Sequence, residues 1–195
     1  MSTSRSISSF FDRLITVPST DPDDSRRRRL LNIILVGVIV LSILAFIVNG
    51  TLLLTGSRSR ENINLEWIIA GMFVGSILIY YINRKFSGVI ASAIFLVLFL
   101  VVISTSDTYP ALVDGRSLLY FTIPITMASM LMGPPYSFAV ALLSTIEIFI
   151  LGKLGNTEPN LLAIFGYLLL ALVSWLSSRS LEQALKDLRV LNTEL

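Results

Sequence analysis

The chain of 195 residues carries 15 Lys+Arg against 13 Asp+Glu, no His and no Cys, with 54% hydrophobic and 14% charged residues. Soluble domains average about 25% charged residues, so this chain has too little polar material to coat a globule in water and belongs in a membrane. The missing thiol and imidazole exclude a disulfide framework, a Cys/His zinc site, Ser-His and Cys-His nucleophiles and phosphohistidine, and the net charge of +2 comes without the interleaved aromatic and basic residues of a nucleic-acid surface.

Residues 1–29 form a cytoplasmic segment of their own. Ile7, Phe10, Phe11, Leu14 and Ile15 recur at helical spacing ahead of Pro18. The stripe favours a short amphipathic helix on the membrane surface over a disordered tail. Asp21-Pro22-Asp23-Asp24 then reads as a helix start, with Asp21 as cap, Pro22 at the first helical position and two acids facing the dipole. The first membrane helix therefore begins before its apolar run and carries Arg26, Arg27, Arg28 and Arg29 at headgroup level.

Residues 30–177 hold continuous, non-alternating apolar runs, and a bilayer core of about 30 Å needs roughly 20 such residues as helix. Six spans follow: Leu30–Leu54, Leu65–Ile82, Val89–Thr105, Ser117–Met132, Ser137–Leu151 and Leu161–Ser177. The fifth is short and contains Glu147, so a re-entrant segment is its alternative. Placing the N-terminus inside leaves only Arg58, Arg60, Arg116 and Lys153 outside, against eleven bases in the cytoplasm. Both termini are then cytoplasmic, and the outer loops are Thr55–Asn64, Ser106–Arg116 and Gly152–Asn160. The first apolar run is too long for a cleaved signal peptide.

Ionisable groups inside spans cost about 2.5–3.5 kcal/mol on insertion scales, which makes each a functional candidate. Glu147 is the one well inside, with Ser144 on its face. Its carboxyl group is expected to bond a hydroxyl or a carbonyl, to pair with a cation from the outer loops, or to bind a ligand, the structural role weighing more. Glu66 and Trp67 open the second helix and join the ligand-binding candidates, although an acid in the first turn and a Trp in the aromatic belt need no role beyond the interface. The loop SDTYPALVDGR gathers Asp107, Tyr109, Asp114 and Arg116 on the outer side, although Asp114-Gly115 is first of all a turn. If this loop folds over Glu147 and Tyr120, a small cationic or polar ligand has a site at the outer rim. Pro124 is expected to kink the fourth helix, as a hinge or a packing detail. Gly71-Met-Phe-Val-Gly75 suits an intramolecular helix contact ahead of a dimer face, and Met127, Met130 and Met132 suit packing ahead of a copper site. No cofactor and no metal is called for.

From Leu161 the last helix meets no breaker and turns polar after Trp175. Residues 178–195 read as the start of a cytoplasmic signalling helix. Leu181, Ala184, Leu188, Leu191 and Leu195 form one heptad seam, and Leu181, Leu185, Leu188, Asn192 and Leu195 a second, slightly rotated one. The two registers compete, as a device passing a twist to the cytoplasm requires, while an end helix packing on its own bundle is the plainer reading. A coiled coil this short is marginal in water, so Leu195 is expected to be a cut in a longer protein.

The segments FFDRLITVP (Phe10–Pro18), DPDDSRRRRLLNIIL (Asp21–Leu35), DGRSLLYFTIPITMASMLMGPP (Asp114–Pro135) and PNLLAIFGYLLLALVSWLSSRSLEQALKDLRVLN (Pro159–Asn192) cover about half the chain. In them the chain resembles the membrane-embedded input domain of bacterial multi-span sensor histidine kinases. The resemblance implies an all-α, six-helix module of the bacterial inner membrane. It further implies a homodimer that biases a GAF, PAS or kinase module downstream in the same polypeptide. With no His, the chain is not itself an enzyme of phosphotransfer. The rival reading is a small six-helix substrate-binding subunit of a transporter, against which stand the heptad seam and the lack of a dense polar pocket at mid-bilayer. An intramembrane enzyme would need several polar residues converging at one depth.

Overall fold

A computed structural model describes residues 22–55 and 63–193, and every regular element among them is helical. The expected surface helix at residues 7–18, the Asp21 cap, Arg58, Arg60 and Leu195 lie outside the described residues, as do the side chains of Leu191 and Asn192. The elements are α1 (Pro22–Leu54), α2 (Ile63–Lys85), α3 (Gly88–Thr105), α4 (Tyr109–Val113), a 3₁₀ helix (Arg116–Phe121), α5 (Thr122–Leu131), α6 (Tyr136–Gly155) and α7 (Leu161–Thr193). Five helices are long and apolar enough to cross a membrane: Asp23–Leu52, Leu65–Lys85, Gly88–Thr105, Tyr136–Gly155 and Leu161–Leu188. The chain is thus a helical membrane protein in character. The helix carrying Glu147 runs unbroken for 20 residues, about 30 Å.

The region expected as a single fourth span is divided. Six residues of 3₁₀ helix lead into ten of α-helix, and Pro124 stands in the first turn of α5 rather than in mid-helix. Lacking an N–H, Pro124 offers no donor to the preceding turn, and the chain there adopts the tighter i→i+3 pattern. The Thr122 N–H accordingly bonds the Leu119 carbonyl, which also accepts the Thr122 hydroxyl at 2.6 Å.

The chain forms two compact units, divided after Val102. In the first, α1 and α2 pack together. Their buried positions explain how. Leu35, Ser42 and Asn49 recur every seven residues on α1, and Met72, Ser76, Ile79 and Asn83 alternate by four and three on α2. These are the stripes of left-handed knobs-into-holes packing. A Cβ at Gly75 would stand 2.6 Å from a Leu98 methyl group, whereas Gly71 faces open space, so only the second small residue of the expected motif meets a helix of this unit.

A polar clamp closes one end of the α1–α2 pair. The Arg28 guanidinium donates to Asp24 Oδ2 at 2.6 Å and to the carbonyls of Asn83 and Phe86 at 2.9 and 3.0 Å. Those carbonyls belong to the last turn of α2 and the residue following it, where backbone acceptors lack partners and attract cations. The Asn83 amide in return donates to the Arg28 carbonyl at 3.0 Å and to Asn32 Oδ1 at 2.7 Å, with both asparagines fully buried. Gly88 opens α3 against this clamp. A Cβ there would lie 2.8 Å from Arg28 Cγ and 2.9 Å from Asp24 Oδ1.

In the second unit α5 packs on α6 and α7, α6 packs on α7, and α4 lies on α6. Leu112, Val113, Phe121, Ile125, Leu131 and Ile148 are fully buried there. α7 contributes Tyr167, Ala171 and Ser174, and the Ser137 hydroxyl donates to the Ala171 carbonyl at 3.0 Å.

Candidate functional site

The second unit gathers most of the residues singled out in the sequence at one end of its helices. The buried stripe of α6 includes Val140, Ser144, Ile148 and Leu151, and Glu147 flanks it. α6 continues to Gly155, so the Glu147 carboxyl lies eight residues, about 12 Å, from the helix end. Ser104, in the last turn of α3, donates its hydroxyl to Glu147 Oε1. Of the roles expected for Glu147, the hydroxyl partner is the one observed. Ser144, one turn below, has a buried hydroxyl with no partner.

The loop after α3 is tied to its own downstream segment. Asp107 accepts the Ser117 hydroxyl at 2.5 Å and the Thr108 N–H at 2.8 Å. These two donors, helped by the positive charge of Arg116, hold its carboxyl below the usual aspartate range. A carboxyl group whose pKa is lower folded than unfolded stabilises above the unfolded pKa and loses that contribution as pH falls through the folded one. Thermal stability is therefore expected to decline as pH drops below about 4, and Ser117→Ala to flatten that decline. A melting series from pH 6 to pH 2 on both proteins checks this, and equal slopes would remove Asp107 from the account.

α4 follows and seats Tyr109 against α6, where a Cβ at Gly155 would overlap Tyr109 Cβ. Asn156, in the left-handed conformation at φ 50°, ends α6, and its N–H bonds the Gly152 carbonyl. Asn160 then joins two loops. Its amide donates to Asp114 Oδ1 at 2.7 Å, its Oδ1 accepts the Ala163 N–H at 3.1 Å as the cap of α7, and its own N–H reaches the Val113 carbonyl at 3.4 Å. Asp114 does end α4 with a turn, its N–H bonding the Pro110 carbonyl at 3.0 Å.

The rim is a set of separate polar pairs rather than one converging site. Among the described residues, no hydrogen bond or ion pair joins Glu147 to Tyr109, Asp114, Arg116 or Tyr120. Tyr109 and Tyr120 are about half exposed, and Arg116 is exposed. Glu66 and Trp67 belong to α2 in the other unit, with Trp67 74% exposed. Residues that sequence reasoning passed over hold these pairs together. Ser104, Ser117 and Asn160 each lie 10 to 46 positions from the acid they serve, and nothing in their local sequence marks them.

Tyr167 is the other residue passed over. It is 3% exposed, donates its phenol hydroxyl to the Leu118 carbonyl at 2.6 Å and sets its ring 6.3 Å from that of Phe121. The last helix is thereby bonded directly to the 3₁₀ helix. The remaining cavity of note lies in the first unit, where Ser42, Ile43, Phe46 and Ile47 of α1 face Ile69, Ala70 and Phe73 of α2 across about 260 Å³. Its lining is apolar, which suits a hydrocarbon chain. Among the described residues no three Asp or Glu side chains are grouped to hold a metal ion. Comparison with known protein families, curated proteins and solved structures returns no match.

Proposed function

We propose that this chain is the membrane-embedded sensory module of a two-component histidine kinase, passing an extracellular or intramembrane signal through its last helix to a kinase, GAF or PAS module downstream in the same polypeptide. The observation that carries this reading is the build of α7. Its 33 residues rise about 50 Å, some 20 Å more than a hydrocarbon core needs. Tyr167, Ala171, Ser174 and Ser178 are its inward positions, at alternating steps of four and three. The same steps lead on to Leu181, Leu185, Leu188 and Asn192, the second of the two registers in the sequence. One stripe thus joins the face packed in the bundle to the leucine seam beyond it. Leu181 and Leu188 are 47% and 63% exposed in the single chain, apolar positions that a second copy in a parallel dimer covers.

The six-span topology with cytoplasmic termini belongs to this proposal. The 3₁₀ helix and α5 together rise about 27 Å, because 3₁₀ residues advance about 2.0 Å each and α residues 1.5 Å, so 16 residues nearly match a bilayer core. Cation–aromatic pairs four residues apart, Arg84 over Tyr80, Lys85 over Tyr81 and Arg179 over Trp175, suit a membrane–water interface and support this reading, which assigns them to the inner side. A bacterial inner membrane is the setting such a module implies. Ligand contact at the rim, through Glu147, Asp114, Arg116, Tyr109 or Tyr120, is the corresponding place for a signal to enter.

The test is a kinase core joined in heptad phase after residue 195 and assayed for autophosphorylation in membrane vesicles. Inserting one residue after Ser180 turns the seam by about 100° and inserting seven restores it. The expected result is a several-fold change in output with one residue and recovery with seven. Output indifferent to the whole insertion series would sink the sensor reading and bring the transport-subunit alternative forward.

A further inference from the structure

The Arg28 clamp divides the bases at its end of the first unit into two kinds. Arg28 is turned inward and spent on Asp24, Asn83 and Phe86. Arg29, Arg84 and Lys85 are exposed, with Arg26 two positions before the clamp. Residues 23–31 and 82–88 together hold six bases, namely Arg26 to Arg29, Arg84 and Lys85, against the acids Asp23 and Asp24. The clamp fixes the ends of α1 and α2 together, so the charge stands on one rigid surface rather than on two independent tails.

Depth settles what this surface meets. Leu30 and Leu31 follow Arg29 directly, and Ile82 precedes Asn83 and Arg84, so the bases sit where the apolar spans end. The tyrosines hold them there. Arg84 lies 5.7 Å from the Tyr80 ring centroid and donates to its hydroxyl at 3.2 Å, and the Lys85 ammonium lies 4.7 Å from the Tyr81 centroid. Long basic side chains whose stems lie along apolar surface and whose heads stop beside phenol groups are placed at the level of lipid phosphates.

We propose that Arg29, Arg84 and Lys85, with Arg26 beside them, form a binding surface for the phosphodiester headgroups of anionic phospholipids. The proposal rests on the membrane-crossing character of the helices and not on the sensor reading or on which leaflet this end faces. Guanidinium and ammonium groups match phosphate oxygens in charge and donor geometry, and attraction to an anionic leaflet amounts to roughly fivefold in affinity per cation.

The experiment reconstitutes the full chain in nanodiscs of phosphatidylcholine containing increasing fractions of phosphatidylglycerol and follows the melting temperature. The expected result is a rise with phosphatidylglycerol. The combined variant Arg29→Gln, Arg84→Gln, Lys85→Gln is expected to need on the order of a hundredfold more anionic lipid for the same rise, while Lys153→Gln, at an exposed base of the other unit, titrates as the parent does. Raising salt is expected to weaken the parent's response. A parent without lipid preference, or a combined variant that keeps it, overturns the surface. Equal stabilisation by inorganic phosphate in pure phosphatidylcholine discs also overturns it, assigning the site to free anions. Failure of the chain to enter nanodiscs at all would instead overturn the membrane reading itself.

Discussion

Replacing Arg28 by Ala is expected to lower unfolding free energy by about 2–4 kcal/mol, whereas the same change at Arg26 or Arg29 is expected to stay within about 0.5 kcal/mol. The difference comes from what each guanidinium touches. Arg28 serves a carboxylate and two backbone carbonyls at the end of α2, and its removal leaves Asn83 O, Phe86 O and the Asp24 carboxylate to find other donors. Arg28→Lys is expected to recover less than half of the loss, since an ammonium on a flexible stem lacks the planar fork that spans three acceptors. Thermal unfolding in a zwitterionic detergent or in pure phosphatidylcholine nanodiscs, where no anionic lipid engages Arg26 or Arg29, measures all four variants. Equal effects along Arg26–Arg29 would mean that the four arginines act only through their summed charge.

Tyr167→Ala is expected to cost about 3–5 kcal/mol, with Tyr167→Phe costing about 1–2 kcal/mol. The ring packs on Phe121, and the hydroxyl donates to the Leu118 carbonyl in the one regular segment among the described residues that is not α-helical. The Phe variant therefore isolates the hydrogen bond. In the kinase fusion it is expected to shift basal output with little change in expression, because it alters how α7 is held against the 3₁₀ helix. A Phe variant identical to the parent in both melting temperature and output would reduce the bond to a packing accompaniment.

The helix pattern was legible wherever continuous apolar runs met clear stops. α3 ends at Thr105 and α7 begins at Leu161, both as their local sequences dictate. The divided fourth segment was not legible in full. Pro124 announces an irregularity, but the choice of a 3₁₀ entry goes with a donor 49 positions later in the chain. Arg28 shows the same limit. In the run of four arginines nothing distinguishes it, since Asp24 stands before Arg28 as Asp23 stands before Arg27, and its two carbonyl acceptors lie 55 and 58 positions away. For the rim, an acid inside a span signals a partner by its cost alone, which is why a hydroxyl or carbonyl, a cation or a ligand was expected at Glu147. That the hydroxyl is Ser104's, and that Asp114 meets Asn160, depends on which loops come together, and no periodicity records that.

The same clamp bears on how the protein is made. Every group in it, from Asp24 to the glycine that opens α3, lies within residues 24–88, so its last partner has been synthesised before Ile103 is added. The Asn32–Asn83 and Arg28–Phe86 bonds form only when the chain has crossed back to the side on which α1 began. A hairpin inserted in that orientation is fastened by bonds internal to itself, before any residue of the second unit has been added.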